Sequence, residues 1–117
     1  MEQTFIVLEN GIKQISLSGR LDIQGSAAID TPFTIHSASE KASVLVDMTE
    51  VEFISSMGIR LLLSNAKAQV RRGGQLVLYN PQPMVKDVLV SAGIDELIPI
   101  FDDYDAACTQ LLATMSK

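Results

Sequence analysis

The opening stretch "TFIVLENGIKQISLSG" sets two apolar-rich runs on either side of Asn10-Gly11. An Asn-Gly pair between such runs is the strongest short signal for a β-hairpin, because both residues tolerate positive φ. The pattern predicts strands over about 3–9 and 12–18. In the second, Ile12, Gln14, Ser16 and Ser18 alternate only loosely with Lys13, Ile15 and Leu17, which predicts burial on much of both faces. In "GRLDIQGSAAIDTPFTIHSASEKAS" the positions Leu21, Ala28, Ile29, Phe33, Ile35 and Ala38 suggest a helix over about 25–40. Pro32 lacks an N–H and is expected to break it, with Thr31 suited to cap a restarted helix.

The remainder alternates strand and helix. "SVLVDM" (Ser43 to Met48) is a short β-branched run typical of a central strand. A helix is expected from Ser56 to Arg72, closed by Gly73-Gly74. "QLVLYN" reads as the next strand, stopped by Pro81 and Pro83, and "MVKDVLVSAG" as a short helix closed by Gly93. "LIPIF" is a last strand whose Pro99 confines it to a sheet edge or bulge. "DDYDAACTQLLATM" is a final helix with acids in its first turn, where the helix dipole favours them. The order ββαβαβαβα predicts one α/β domain over 1–117: a mixed, mostly parallel sheet with an antiparallel N-terminal hairpin and about four helices.

The helix after "VEFISS" carries the most unusual pattern. On a wheel Ile59, Leu62, Leu63, Ala66 and Val70 form a core stripe, and Arg60, Ser64, Lys67 and Arg71 a polar flank. Met57, Leu61 and Ala68 fall together opposite the core. They are either scattered exposed apolar residues, which are ordinary, or a strip on which a partner docks, with adaptable Met57 beside the serines. The serine pair Ser55-Ser56 has two readings as well. Serine before an apolar helical run is a favoured N-cap, although no Glu or Gln three residues on completes a capping box. A phosphate there would meet free N–H groups and add about −1.5 to −2 charges beside the apolar strip, which suits a switch.

Composition narrows the function classes. With 117 residues, 47% hydrophobic and 20% charged, the chain can bury a real core as a single domain. Its net charge of −5 disfavours a nucleic-acid surface. One cysteine, Cys108, and one histidine, His36, exclude an internal disulfide and a Cys/His zinc site. No signal peptide and no run near the roughly 20 apolar residues of a membrane span are visible, so a cytoplasmic protein without membrane insertion, metal or cofactor is expected.

Enzyme templates fit poorly. Around Ser56 the sequence "ISSMG" has Ile54 where a nucleophile elbow needs glycine, and His36 lies in a distant helix. Asp47, expected at the end of the third strand, lacks the acidic partners and the late lysine that a phosphoacceptor receiver uses. Gly73-Gly74 follows a helix and reads as a cap rather than a phosphate cradle.

"SGRLDIQGSAA", "VLVDMTEVEFISSMGIRLLL" and "GGQLVLYNPQPMVKDVLVSAGIDELIPIFDDYDAA" together resemble the STAS domain, the anti-sigma-factor antagonist family, from about Phe5 to Leu112. The resemblance implies a non-catalytic partner switch. The unmodified domain binds a GHKL-type serine kinase that is also an anti-sigma factor, phosphorylation releases it, and a PP2C-type phosphatase restores binding. The family motif F-[IVM]-D-S-[SA]-G-[LI] is matched by Phe53, Ile54, Ser56, Gly58 and Ile59, which carries the phosphoacceptor role to Ser56. Ser55 stands where aspartate is usual and is a competing acceptor. Met57 stands at a usually small position, and Arg60 replaces a small residue one turn from Ser56, where it could pair with a phosphate. Asp22 matches the G-x-L-D aspartate, whose loop is expected near the acceptor and which also suits a helix N-cap. Partner contacts are expected from Asp22, Ser55, Met57, Gly58, Arg60, Leu61 and Ser64. Related domains act instead as scaffolds of stress-sensing assemblies, lipid-transport ATPase subunits, or regulators of biofilm and secretion, and these are the alternative functions.

Overall fold

The computed structural model describes residues 1–38 and 41–115; the side chain of Ala38 and the expected helix end at 39–40 lie outside it. Five strands form one sheet in the order β1-β2-β3-β4-β5: β1 (Glu2–Val7), β2 (Lys13–Leu21), β3 (Ser43–Ile54), β4 (Gln75–Tyr79) and β5 (Ile100–Phe101). Only β1 and β2 run antiparallel, and every other neighbouring pair is parallel. Helices α1 (Ile23–Ala38), α2 (Ser56–Arg71), α3 (Pro83–Ser91) and α4 (Tyr104–Met115) connect or follow the strands, with a 3-10 turn at Ile94–Glu96.

Alternation along the central strands sorts side chains into two cores. Val44 and Val46 of β3 and Leu76 and Leu78 of β4 join Ile29, Phe33, Leu62 and Leu89 of α1 to α3 on one face. Leu45 and Val77, pointing the other way, meet Ala107 and Leu111 of α4. A strand covered on both sides must be apolar at successive positions, which is why "SVLVDM" shows no period of two. β2 is less buried than expected: Gln14, Ser16 and Ser18 are half-buried, and Gln14 Oε1 accepts the Tyr104 hydroxyl of α4 at 2.6 Å.

The expected hairpin forms, and three other expectations are corrected. At the hairpin only Gly11 has positive φ (89°); its N–H donates to the Leu8 carbonyl, so Asn10 serves through its side chain, which accepts the Ile12 N–H at 3.1 Å. α1 runs through Pro32 without a break, and Thr31 sits inside it rather than capping a new helix. The carbonyl that Pro32 leaves without a donor belongs to Ala28, and both residues are exposed, so water can take that place. β3 continues six residues past Met48, to Ile54. "LIPIF" contributes only Ile100–Phe101 to the sheet; Ile98 is buried beneath the 3-10 turn instead.

The extension of β3 matters most for function. β4 pairs with β3 only over Ser43–Asp47, whereas β2 follows β3 to its end, through register shifts, as far as Leu21 opposite Ile54. Asp47 eases the irregularity, its carboxylate accepting the Thr49 N–H at 3.0 Å and the Thr49 hydroxyl at 2.6 Å.

Candidate functional site

Because Leu21 and Ile54 are register partners in parallel strands, the residues after them must emerge side by side at the same end of the sheet. Those residues are Asp22 and Ser55. Asp22 opens α1: its Oδ1 accepts the Gly25 N–H at 2.7 Å and its carbonyl the Ser26 N–H at 2.9 Å. The Asp22 loop therefore lies against the serine pair and caps a helix at once. Arg20 approaches Asp22 at 3.8 Å, an exposed pair of small energetic consequence.

Ser55 is the N-cap of α2. Its Oγ accepts the Gly58 N–H at 3.3 Å and donates to the Leu21 carbonyl at 2.8 Å, and its own N–H donates to that carbonyl at 2.8 Å. The hydroxyl proton is thus committed across the two loops. Serine and aspartate are both preferred N-caps, so Ser55 at a position where aspartate is usual keeps the capping function without the charge. Ser56 is the first helical residue and is exposed. The first backbone bond of the helix runs from the Ile59 N–H to the Ser55 carbonyl, so the N–H groups of Ser56 and Met57 precede any intrahelical acceptor.

Gly58 fixes how closely α2 approaches the sheet. A Cβ there would lie 2.9 Å from the Leu21 carbonyl oxygen and 2.9 Å from Ile54 Cγ1. Gly58→Ala is expected to push the helix start off β2 and destabilise the fold by about 1–3 kcal/mol, read as a lowered urea midpoint. An unchanged midpoint would mean that the approach is not under constraint.

The wheel misplaced two apolar positions of α2, Leu61 and Val70. Leu62 and Ala66 are buried and Ile59 and Leu63 pack against the core, but Val70 is 66% exposed while Leu61 is only 7% exposed. The cause is α1, which packs beside α2 on the same face of the sheet. Leu61, Asn65 and Gln69 turn toward it. Asn65 accepts the Ser37 hydroxyl and donates to the Leu61 carbonyl; Gln69 donates to the Ser37 carbonyl and accepts the Ala42 N–H at 2.8 Å. This polar seam escaped sequence reasoning. Its one signal is Asn65 and Gln69 four residues apart, in line with Leu61.

Above the seam lies an open groove of about 270 Å³ between α1 and α2. Met57, 39% exposed, stands over it with Arg60, Ser64, Asp30 and Thr34, and Leu61 forms its floor. Of the expected contact residues, Met57, Arg60 and Ser64 are therefore exposed together, Asp22 adjoins them through Ser55, and Leu61 is a core residue rather than a solvent-facing one.

Other reactive side chains have structural surroundings. His36 stacks on Phe5 with ring centroids 4.0 Å apart. Asp47 lies inside β3, not at its end, and its carboxylate is bonded by Thr49. Burial raises the pKa of the Cys108 thiol and of the Tyr104 hydroxyl. Among the described residues, no group of three or more His, Cys, Asp or Glu could hold a metal ion, and no helix is long and apolar enough to cross a membrane.

Comparison with known proteins agrees with this architecture. BtrV of Bordetella bronchiseptica, named as an anti-sigma factor antagonist, is 24% identical over 108 residues, covering 92% of this chain and 93% of BtrV. The anti-sigma F factor antagonist of Paenibacillus polymyxa is 24% identical over 102 residues, covering 86% and 87%. The Bacillus protein SpoIIAA, 18% identical, shares the fold. Its unphosphorylated form superposes with a TM-score of 0.76 over 93% of this chain and 95% of SpoIIAA, its phosphorylated form with 0.65 over 93% and 98%. The STAS domain profile matches residues 6–107, and with nearly the whole fold inside that match, the chain belongs to the STAS domain family.

Proposed function

We propose that this chain is an anti-sigma-factor antagonist that works by partner switching. Unmodified, it binds a GHKL-type serine kinase that serves as anti-sigma factor. That kinase phosphorylates Ser56 and the complex dissociates; a PP2C-type phosphatase regenerates the binding form. The chain itself catalyses nothing and acts in the cytoplasm. The relatives named as antagonists and the two forms of SpoIIAA support this reading.

The observation that carries it is the different setting of the two serines. Ser55 has its hydroxyl bonded at both ends, and a phosphate on it would remove the donor to Leu21 and unmake the cap. Ser56 projects from the first turn of α2, exposed, where the free N–H groups and the helix dipole accept a dianion. A phosphate on Ser56 stays compatible with the fold while adding about −1.5 to −2 charges next to Met57. Met57, Arg60, Ser64 and the Asp22 loop form the contact surface, with Leu61 beneath them, and Ser55 and Gly58 hold the helix start in place.

The test is phosphosite mapping by mass spectrometry after incubation with the kinase and ATP, on wild type, Ser55→Ala and Ser56→Ala. Phosphate on wild type and Ser55→Ala, and none on Ser56→Ala, is the expected outcome. Phosphate that survives Ser56→Ala and disappears in Ser55→Ala would reassign the acceptor. Absence from all three would make the domain a constitutive binding module.

A further inference from the structure

The exposure of Val70 has no explanation in the core, and its surroundings carry an inference that deepens the reading above and rests on it. No acidic residue occurs between Glu52 and Asp87, although the chain has 14 acids and a net charge of −5. Into that gap fall five of the nine Lys and Arg residues: Lys86 pairs with Asp102, and the other four, Arg60, Lys67, Arg71 and Arg72, belong to α2 and its C-cap. All four are exposed, and none has a carboxylate partner among the described residues. Arg60, Lys67 and Arg71 lie seven and then four residues apart, so they line one face of α2. Beside them Val70 and Leu97, 66% and 59% exposed, flank a groove of about 310 Å³ completed by Leu63, Ala66 and the stems of Lys67 and Arg71.

We infer that the outer face of α2 docks an acidic amphipathic helix of the partner protein. Its carboxylates meet Arg60, Lys67 and Arg71, and an apolar residue enters the Val70–Leu97 groove. Charge complementarity selects an acidic occupant, and the borders select a narrow one. Exposed Asp30 borders the cations on the α1 side and exposed Asp95 and Glu96 adjoin Leu97 on the other. A flat anionic bilayer would meet those acids as well as the cations, whereas a single helix lying along α2 need contact only the cation row. A phosphate on Ser56 would then act on the same field, one turn from Arg60.

The probe is a synthetic 16-residue peptide with leucines on one helical face and glutamates on the other, titrated into 15N-labelled protein at low salt. Its control carries lysine in place of glutamate. The glutamate peptide is expected to shift amides of α2 and of the 94–97 segment, while the control leaves them in place. Lys67→Glu/Arg71→Glu is expected to weaken binding about tenfold or more, and Val70→Asp likewise. These positions are exposed, so the melting temperature should hold. Shifts mapping elsewhere, or equal affinity of the double variant, would overturn the inference. So would binding of wild type, lost in the double variant, to phosphatidylglycerol vesicles with no response to the peptide. The titration uses no kinase, so missing phosphorylation at Ser56 would sink the switch and leave this result readable.

Discussion

Leu61→Glu is expected to unfold the domain. Leu61 is 7% exposed and belongs to the main core, on the side of α2 that α1 covers. Truncating such a leucine to alanine costs about 2–5 kcal/mol. Glutamate adds the cost of placing a carboxylate among apolar neighbours, where the polar groups at hand, Asn65 and Ser37, already bond each other. The sum is comparable with the roughly 5–15 kcal/mol that holds an ordinary domain together. Far-UV circular dichroism and a urea titration read the outcome, with Leu61→Ala as the milder companion that should stay folded at a lower midpoint. A cooperative transition near the wild-type midpoint for Leu61→Glu would show that α1 does not seal this side of α2. The helical wheel alone leads to the opposite expectation, a stable protein that has lost only its partner.

Met57→Glu is expected to do what the wheel assigned to both positions. Met57 is 39% exposed at the mouth of the groove, one residue from Ser56. Substitution there should change stability by no more than about 0.5 kcal/mol. A charge placed at the centre of an apolar contact should cost about 2 kcal/mol or more of binding, roughly a 30-fold loss of affinity for the kinase. Ser56→Ala should bind as wild type and remain locked in the binding form. Ser56→Asp should bind more weakly, about tenfold, because one carboxylate imitates only part of a phosphate. Calorimetric titration of the four proteins with the kinase separates these cases. Equal affinity of Met57→Glu and wild type would remove the groove from the interface.

Hydrophobic periodicity and turn residues determined most of this architecture. The order ββαβαβαβα, the antiparallel opening pair and the parallel remainder follow from patterns of a few residues, because each element needs only its own apolar face and its own stop signal. The same locality explains Ser55-Ser56: a cap is a contact within one turn, so the start of α2 was legible from "ISSMG" alone. Long-range decisions were not. Whether Pro32 breaks α1 depended on whether its turn faces solvent, and the length of β3 depended on β2 following it past Met48. Which stripe of α2 is core depended on a second helix that its sequence does not announce. Only the folded chain brought Leu21 opposite Ile54, and with that pairing Asp22 beside Ser55. It also set Ser55 to bonding the Leu21 carbonyl and left Ser56 open. Sequence specifies what each segment can bury; neighbours distant in the chain decide which side is buried, and here that choice turned Leu61 inward and Val70 out.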